Sequence, residues 1–200
     1  MGRTRDAKDR LIRSAIELIH ARSYADVGVN ELCEHAGVKK GSFYHFFPSK
    51  RDLIVAALDD VAGWYARDIF GPAFAPDLPP LERIQRLFQL LYEYHASPTR
   101  TAGPMEGCHF GNLAVELSTQ DEVIRHKVRS IFEGGVSLFE GALQDAVDSG
   151  DLPEIDIPLA ALALQAYLEG VLLLAKTWND PDMVRRLAQS AVQLARTGAP

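Results

Sequence analysis

Cysteine is nearly absent from this chain of 200 residues: Cys33 and Cys108 are the only two. So few thiols exclude the disulfide framework of a small secreted domain. The six histidines, at 20, 35, 45, 95, 109 and 126, lack the spacing that metal ligation needs, so no metal and no cofactor is expected. No stretch alternates β-branched and polar residues as a half-buried strand would, and there is no internal repeat or low-complexity tract. The start, MGRTRD, runs into charge with no apolar segment behind it. A secretory leader is therefore not expected, and a reducing cytoplasm is the expected compartment. One run is long and apolar, residues 157–175 (IPLAALALQAYLEGVLLLA). Pro158 opens it and Gln165 and Glu169 interrupt it, and an acidic group at mid-bilayer costs on the order of 3 kcal/mol. It reads as a helix buried on most sides by protein rather than a membrane span.

What is present is ample core material. Hydrophobic residues make up 47% of the chain and charged residues 24%, which supports one or two packed domains and excludes wholesale disorder. The net charge of −6 hides an asymmetry. Residues 1–55 hold 10 Lys and Arg against 7 Asp and Glu, whereas residues 56–200 hold 11 against 20. A basic end on an acidic body suits a DNA-binding head on a sensor, because phosphate attraction acts over a Debye length of about 8 Å. Charge alone does not decide the matter.

The periodicity predicts an all-α fold of about nine helices. They fall near residues 4–21, 29–36, 40–46, a fourth opened by Ser49 with Asp52 as its capping box, 81–95, 108–118, 121–149, 157–178 and 181–196. Thr119 with Glu122 is read as the capping box of the seventh. A Pro/Gly-rich break runs from Gly71-Pro72 to Pro79-Pro80, and a second, 97–107, reads as a mobile loop. The expected division is a helix-turn-helix DNA-binding domain at 1–50 and a ligand-binding and dimerisation domain at 51–200.

The segment 29–47, VNELCEHAGVKKGSFYHFF, has the sharpest meaning. Two short helices meet at Gly37, which supplies the positive φ a tight inter-helix turn needs. Leu32, Cys33, Val38, Phe43 and Phe47 are spaced to close a small core, so Cys33 is assigned no chemistry. Lys39, Lys40, Ser42, Tyr44 and His45 are left outside, with Gly41 allowing close approach. Such a face fits the major groove of double-stranded DNA. The run AGVKKGSFYHFFPSKRDLI resembles the signature of TetR-family transcriptional regulators over roughly residues 8–58. The resemblance implies that Lys39, Lys40, Gly41, Ser42, Tyr44 and His45 face DNA and that Lys50 holds a phosphate. It further implies a ligand-responsive regulator, by default a repressor, that reads a pseudo-palindromic operator as a dimer. One departure is Gly28, where the family usually caps the second helix with Ser or Thr; glycine offers no hydroxyl to a phosphate.

In the body the last two helices are read as apolar on more than one face, which calls for a second copy as the cover. A small-molecule pocket is expected between the fourth and eighth helices. Its candidate lining is Trp64, Phe88, Tyr92, His95, Cys108, Asn112, Phe132, Phe139 and Tyr167, aromatics with a few polar tips. Aromatics at helical spacing are also ordinary core. Cys108 sits in MEGCHFGNL, where a Pro/Gly loop enters a helix. The helix N-terminus and His109 favour its thiolate, and Glu106 opposes it. The Gly-Cys resembles a subset of TetR-type regulators, some of which respond to electrophiles, unsaturated acids or oxidants; an inert thiol is the plain alternative. The rival function classes are a Cys108-dependent thiol enzyme and a helical interaction protein without DNA binding. Adjacent residues on a helix point about 100° apart, which disfavours a Cys108–His109 catalytic pair.

Overall fold

The computed structural model describes residues 2–97 and 103–197, so residues 98–102 of the second expected break lie outside the described residues. Among the described residues there is no strand, and nine helices reach at least 7 residues. They are α1 (Gly2–Ala21), α2 (Val29–Ala36), α3 (Lys40–Phe46), α4 (Lys50–Tyr65), α5 (Pro80–His95), α6 (His109–Leu117), α7 (Glu122–Asp148), α8 (Ile157–Trp178) and α9 (Asp182–Thr197). Packing divides the chain into two compact units. One holds Met1–Trp64 with His109–Arg129, and the other holds Tyr65–Cys108 with Ser130–Pro200.

The first unit closes around Leu11, Ala15, Leu32, Phe43, Leu53 and Ile54, all buried. Ser49 begins α4 as its spacing predicts: Asp52 N–H donates to Ser49 Oγ, and Ser49 Oγ donates to the Asp52 carboxylate at 2.6 Å. The cap of α7 differs from expectation. Asp121 Oδ1 accepts from Val123 N–H and Ile124 N–H, at 3.0 and 3.1 Å, in place of Thr119. A carboxylate beside the first free amides of a helix is a stronger acceptor there than a hydroxyl further back.

In the second unit α9 packs against α5 and α8, around Ile84, Leu87, Phe88, Leu164, Val184 and Ala191. The first expected break starts later than Gly71-Pro72. α4 continues through a π turn (Ala66–Phe70) and a last helical turn (Gly71–Ala73). Pro72 has no N–H and its ring crowds the preceding turn, so the chain widens there and Gly71 N–H reaches back to Ala66 O. A Cβ at residue 71 would lie 3.0 Å from that oxygen, which explains the glycine. Buried Arg83 ties the following loop, donating to Leu78 O and Pro76 O and pairing with Asp145.

α8 corrects the expectation of burial on most sides. It is long and apolar enough to cross a membrane by length and composition, and within the chain 33% of its most apolar window is buried. One side packs inward through Ala160, Ala161, Leu164, Leu168, Val171, Leu172 and Ala175. The other leaves Leu159, Leu162, Leu173, Leu174 and Trp178 exposed. α9 is not apolar on more than one face: Arg185, Arg186, Gln189, Gln193 and Arg196 occupy its outer side and are exposed. The unpartnered apolar face therefore belongs to α8.

Candidate functional site

The α2–α3 turn is built as the local sequence dictates. Gly37 adopts φ 60° and ψ 40°, and its N–H donates to Glu34 O while Val38 N–H donates to Cys33 O. Leu32, Cys33, Val38, Phe43 and Phe47 all turn inward. Burial pushes the Cys33 thiol above its usual range. Lys39, Lys40, Gly41, Tyr44 and His45 are exposed and Ser42 is half-buried, so the side chains picked from the sequence do share the outer surface of α3. Tyr44 is 51% exposed although its ring meets Phe43 edge-on at 5.1 Å, so its base is packed and its hydroxyl end is wet. A Cβ at Gly41 would meet nothing within 4 Å, so no packing within this chain requires glycine there. Gly28 precedes α2 in extended conformation with no side-chain cap.

Lys50 faces a different environment. Its Nζ donates to Tyr24 O at 2.7 Å and Val27 O at 3.0 Å, and lies 3.8 Å from the centre of the Tyr24 ring. Two of its three donors thus hold the loop between α1 and α2. Burial pulls this ammonium below its usual pKa range, opposed in part by the Glu116 carboxylate.

The second candidate centre surrounds Cys108. Gly107, at φ 77°, presses against α8 so closely that a Cβ would lie 3.0 Å from Lys176 Cδ. Met105 N–H donates to Asn179 Oδ1 at 2.7 Å. The part of the expected mobile loop that is described, residues 103–107, is therefore strapped along α8. Cys108 is half-buried, and its thiol hydrogen-bonds the carboxylate of Glu169, whose burial raises its pKa to about 7. Gln165 lies 3.5 Å from the same carboxylate, and its Oε1 would sit 2.8 Å from a Cβ at Gly135 of α7. Sequence reasoning did not pair Glu169 or Gln165 with the thiol. The available signal was polar residues recurring at 165, 169 and 176 on one face of an otherwise apolar helix.

The expected lining residues divide into groups. Phe88 is fully buried and meets Tyr167 at 6.1 Å between ring centres, and the Tyr167 hydroxyl donates to Leu187 O. Tyr92 lies under the Arg185 guanidinium at 5.3 Å. His95 is buried against Tyr94, and Phe139 is buried against Phe74. Phe132 is half-buried on the same face of α7 as Gly135. Tyr167 and Glu169 project roughly 200° apart around α8, so the aromatic group and the thiol occupy opposite sides of that helix. Trp64 and Asn112 belong to the first unit, where Asn112 Nδ2 lies 3.3 Å from His20 Nδ1. No three His, Cys, Asp or Glu among the described residues form a metal-binding group.

Residues 11–57 match the family described as bacterial regulatory proteins, tetR family, and residues 80–191 match the Tetracyclin repressor-like, C-terminal domain. The chain is 31% identical over 188 residues to the transcriptional regulator AcuR of Cereibacter sphaeroides, covering 90% of this chain and 84% of that one. It is 28% identical over 177 residues to the HTH-type transcriptional repressor DhaR of Mycobacterium sp. (strain GP1), covering 88% and 85%. In fold it is similar to the crystal structure of regulatory protein TetR from Rhodobacter sphaeroides, with a TM-score of 0.84 and 28% identity over 94% of this chain and 98% of that chain.

Proposed function

Because this chain belongs to the TetR family of bacterial transcriptional regulators, we propose that it represses by binding a pseudo-palindromic operator as a homodimer and lets go when an effector acts at Cys108. It is a regulator and not an enzyme. The observation that carries the operator reading is the outer surface of α3, where Lys39, Lys40, Gly41, Ser42, Tyr44 and His45 are exposed or half-exposed while Val38, Phe43 and Phe47 are buried. In this reading residues 1–50 form the DNA-binding domain and residues 51–200 the ligand-binding and dimerisation domain. Lys39 and Lys40 neutralise phosphates, and Ser42, Tyr44 and His45 reach phosphates or base edges. Gly41 admits the backbone close to the duplex, and Lys50 has one donor left for a phosphate. The exposed stripe of α8 is the surface covered by a second copy, with α9 beside it. The protein is cytoplasmic in this reading, and α8 crosses no membrane, because Glu169 is buried against this chain's own thiol rather than in lipid.

The effector is a small electrophile such as an α,β-unsaturated carbonyl compound. Cys108 Sγ gives its proton to Glu169 and bonds the β-carbon; the double-bond electrons move to the carbonyl, and the α-carbon then takes up a proton. A carboxyl with a pKa of about 7 is suited to receive a thiol proton at neutral pH. The site lies on the thiol side of α8, with Gln165 and Phe132 near the adduct. Operator affinity then falls by the ratio of effector affinities for the two protein shapes. The rival thiol enzyme has no support from the family, and the His109 ring is stacked on His20 at 3.5 Å.

The test is a gel shift on the duplex flanking the protein's own gene, with N-ethylmaleimide as the probe electrophile. Wild type should shift the duplex in a salt-dependent manner, release it on labelling, and carry the adduct on Cys108 and not on Cys33. Cys108→Ser should bind as tightly and stay bound. Unchanged release by the serine variant overturns the thiol reading, and an absent shift overturns the operator reading.

A further inference from the structure

α8 ends at a residue that is used twice. Asn179 follows Trp178 in the left-handed conformation, φ 51° and ψ 43°. Asn179 N–H donates to Lys176 O at 3.1 Å and Asp180 N–H to Ala175 O at 2.9 Å, which closes the helix. Among the described residues it is the one non-glycine with positive φ, at a position where glycine costs least. Its side chain has a separate use: Oδ1 accepts from Met105 N–H at 2.7 Å, and the Met105 side chain is buried. Upstream of that bond Gly103 and Pro104 are exposed, so the strap is held from Met105 onward. Gly107 then turns at φ 77° and lies so near α8 that a Cβ would come within 3.0 Å of Lys176 Cδ and 3.4 Å of its Cβ. One residue later the Cys108 thiol meets the Glu169 carboxylate. The strap thus runs down α8 in register, with 105 at 179, 107 at 176 and 108 at 169. The carboxylate has its own support in Gln165, whose Oε1 occupies the room left by Gly135, so the strap decides whether thiol and acceptor meet.

We propose that Asn179 is the positioning residue of the thiol site: by pinning the strap to the end of α8 it holds Cys108 Sγ where Glu169 takes its proton. The inference rests on the reading of Cys108 as the reacting thiol. Proton transfer needs donor and acceptor within hydrogen-bond reach, about 3 Å for oxygen and nitrogen and somewhat more for sulfur. A strap free to lift carries the thiol out of that reach while both groups stay chemically intact. Three residues separate the anchor from the thiol, so the bond at Met105 limits how far Sγ can travel. Asn179 itself touches none of the reacting atoms. The charged side chains on the strap and on the adjoining face of α8 are Glu106, Lys176 and Glu169, and His109 follows the thiol in the chain. All four stay in place when residue 179 is changed.

The experiment measures the rate of N-ethylmaleimide addition to Cys108 between pH 5.5 and 8, read by peptide mass so that Cys33 is not counted, with melting temperatures recorded. In wild type the rate should rise as Glu169 ionises and level off above about pH 7. Asn179→Gly keeps the left-handed backbone and removes the acceptor. Its rate should go on rising about tenfold per pH unit to pH 8, as an unassisted thiol with a pKa near 8.5 does. At pH 7 it should be at least about fivefold slower than wild type, with a melting temperature close to it. Asn179→Asp keeps an acceptor of the same shape and should keep the levelling. Its carboxylate at a helix C-terminus, beside Asp180, should nevertheless lower the melting temperature. Thiol chemistry is then lost in the more stable variant and kept in the less stable one, an order that a merely structural role would not produce. Should Asn179→Gly not fold, Gly107→Ala lifts the strap by a second route, because its methyl meets Lys176, and should lose the levelling in the same way. Wild-type levelling in the strap-lifting variant, or its loss in Asn179→Asp, overturns the role of Asn179 and leaves the thiol reading standing. A wild-type rate that never levels overturns proton transfer to Glu169, and the role of Asn179 with it.

Discussion

The helix-turn-helix and the thiol site are built in opposite ways. In the helix-turn-helix, Leu32, Val38, Phe43 and Phe47 turn inward while Lys39, Lys40 and His45 turn outward, and the turn is closed by backbone bonds among residues 33–38. At Cys108 the polar groups turn inward: the Glu169 carboxyl is buried, met by a thiol from a distant part of the chain and by the Gln165 amide one turn earlier on α8. The first arrangement is stable without a partner and offers its donors to one. The second holds a group away from its preferred charge state, so a small chemical change there alters the balance of the fold. The regulator proposed above needs both, a rigid reader and a site that is easily upset.

Three substitutions sharpen this contrast. Phe43→Ala removes the fully buried ring on which α3 rests. It should cost about 3–5 kcal/mol in denaturant unfolding and abolish the operator shift at ambient temperature. Glu169→Gln should act with the opposite sign. Because the folded carboxyl holds its proton up to about pH 7 against 4.5 ordinarily, wild-type stability is lost as pH rises through that window, with the full penalty present above it. Thermal melts from pH 4.5 to 8 should show the glutamine variant free of that decline, and at pH 8 more stable than wild type by on the order of 3 kcal/mol. Gly37→Ala should be the smallest, about 1 kcal/mol from the positive φ, with room for the methyl since its nearest neighbour is Arg10 Nη1 at 3.7 Å. Operator affinity of that variant should be near wild type once it is folded.

The head was legible because its rules are local. Gly37 stops α2, Phe43 and Phe47 point inward, and Ser49 with Asp52 caps α4, all within one or two helical turns of the residues that demand it. Helix number and type followed from periodicity in the same way. The rest depended on contacts that no spacing encodes. Whether Thr119 or Asp121 caps α7 turns on the residue at which the helix begins; whether Gly71-Pro72 ends a helix turns on whether a π turn makes room for the ring. The acidic neighbour of Cys108 comes from α8, so the sequence around the thiol suggested Glu106 and His109 instead. Lys50 reads the same in the sequence whether it faces water or two carbonyls, and only the path of the α1–α2 loop decides.

In the proposed dimer, the bare leucine stripe of α8 makes the protein sensitive to its own abundance. A surface covered only when two copies meet turns the melting temperature into a function of concentration, rising with each tenfold increase in copies. Scarcity therefore weakens such a regulator twice, once in its occupancy of the operator and once in its own folding.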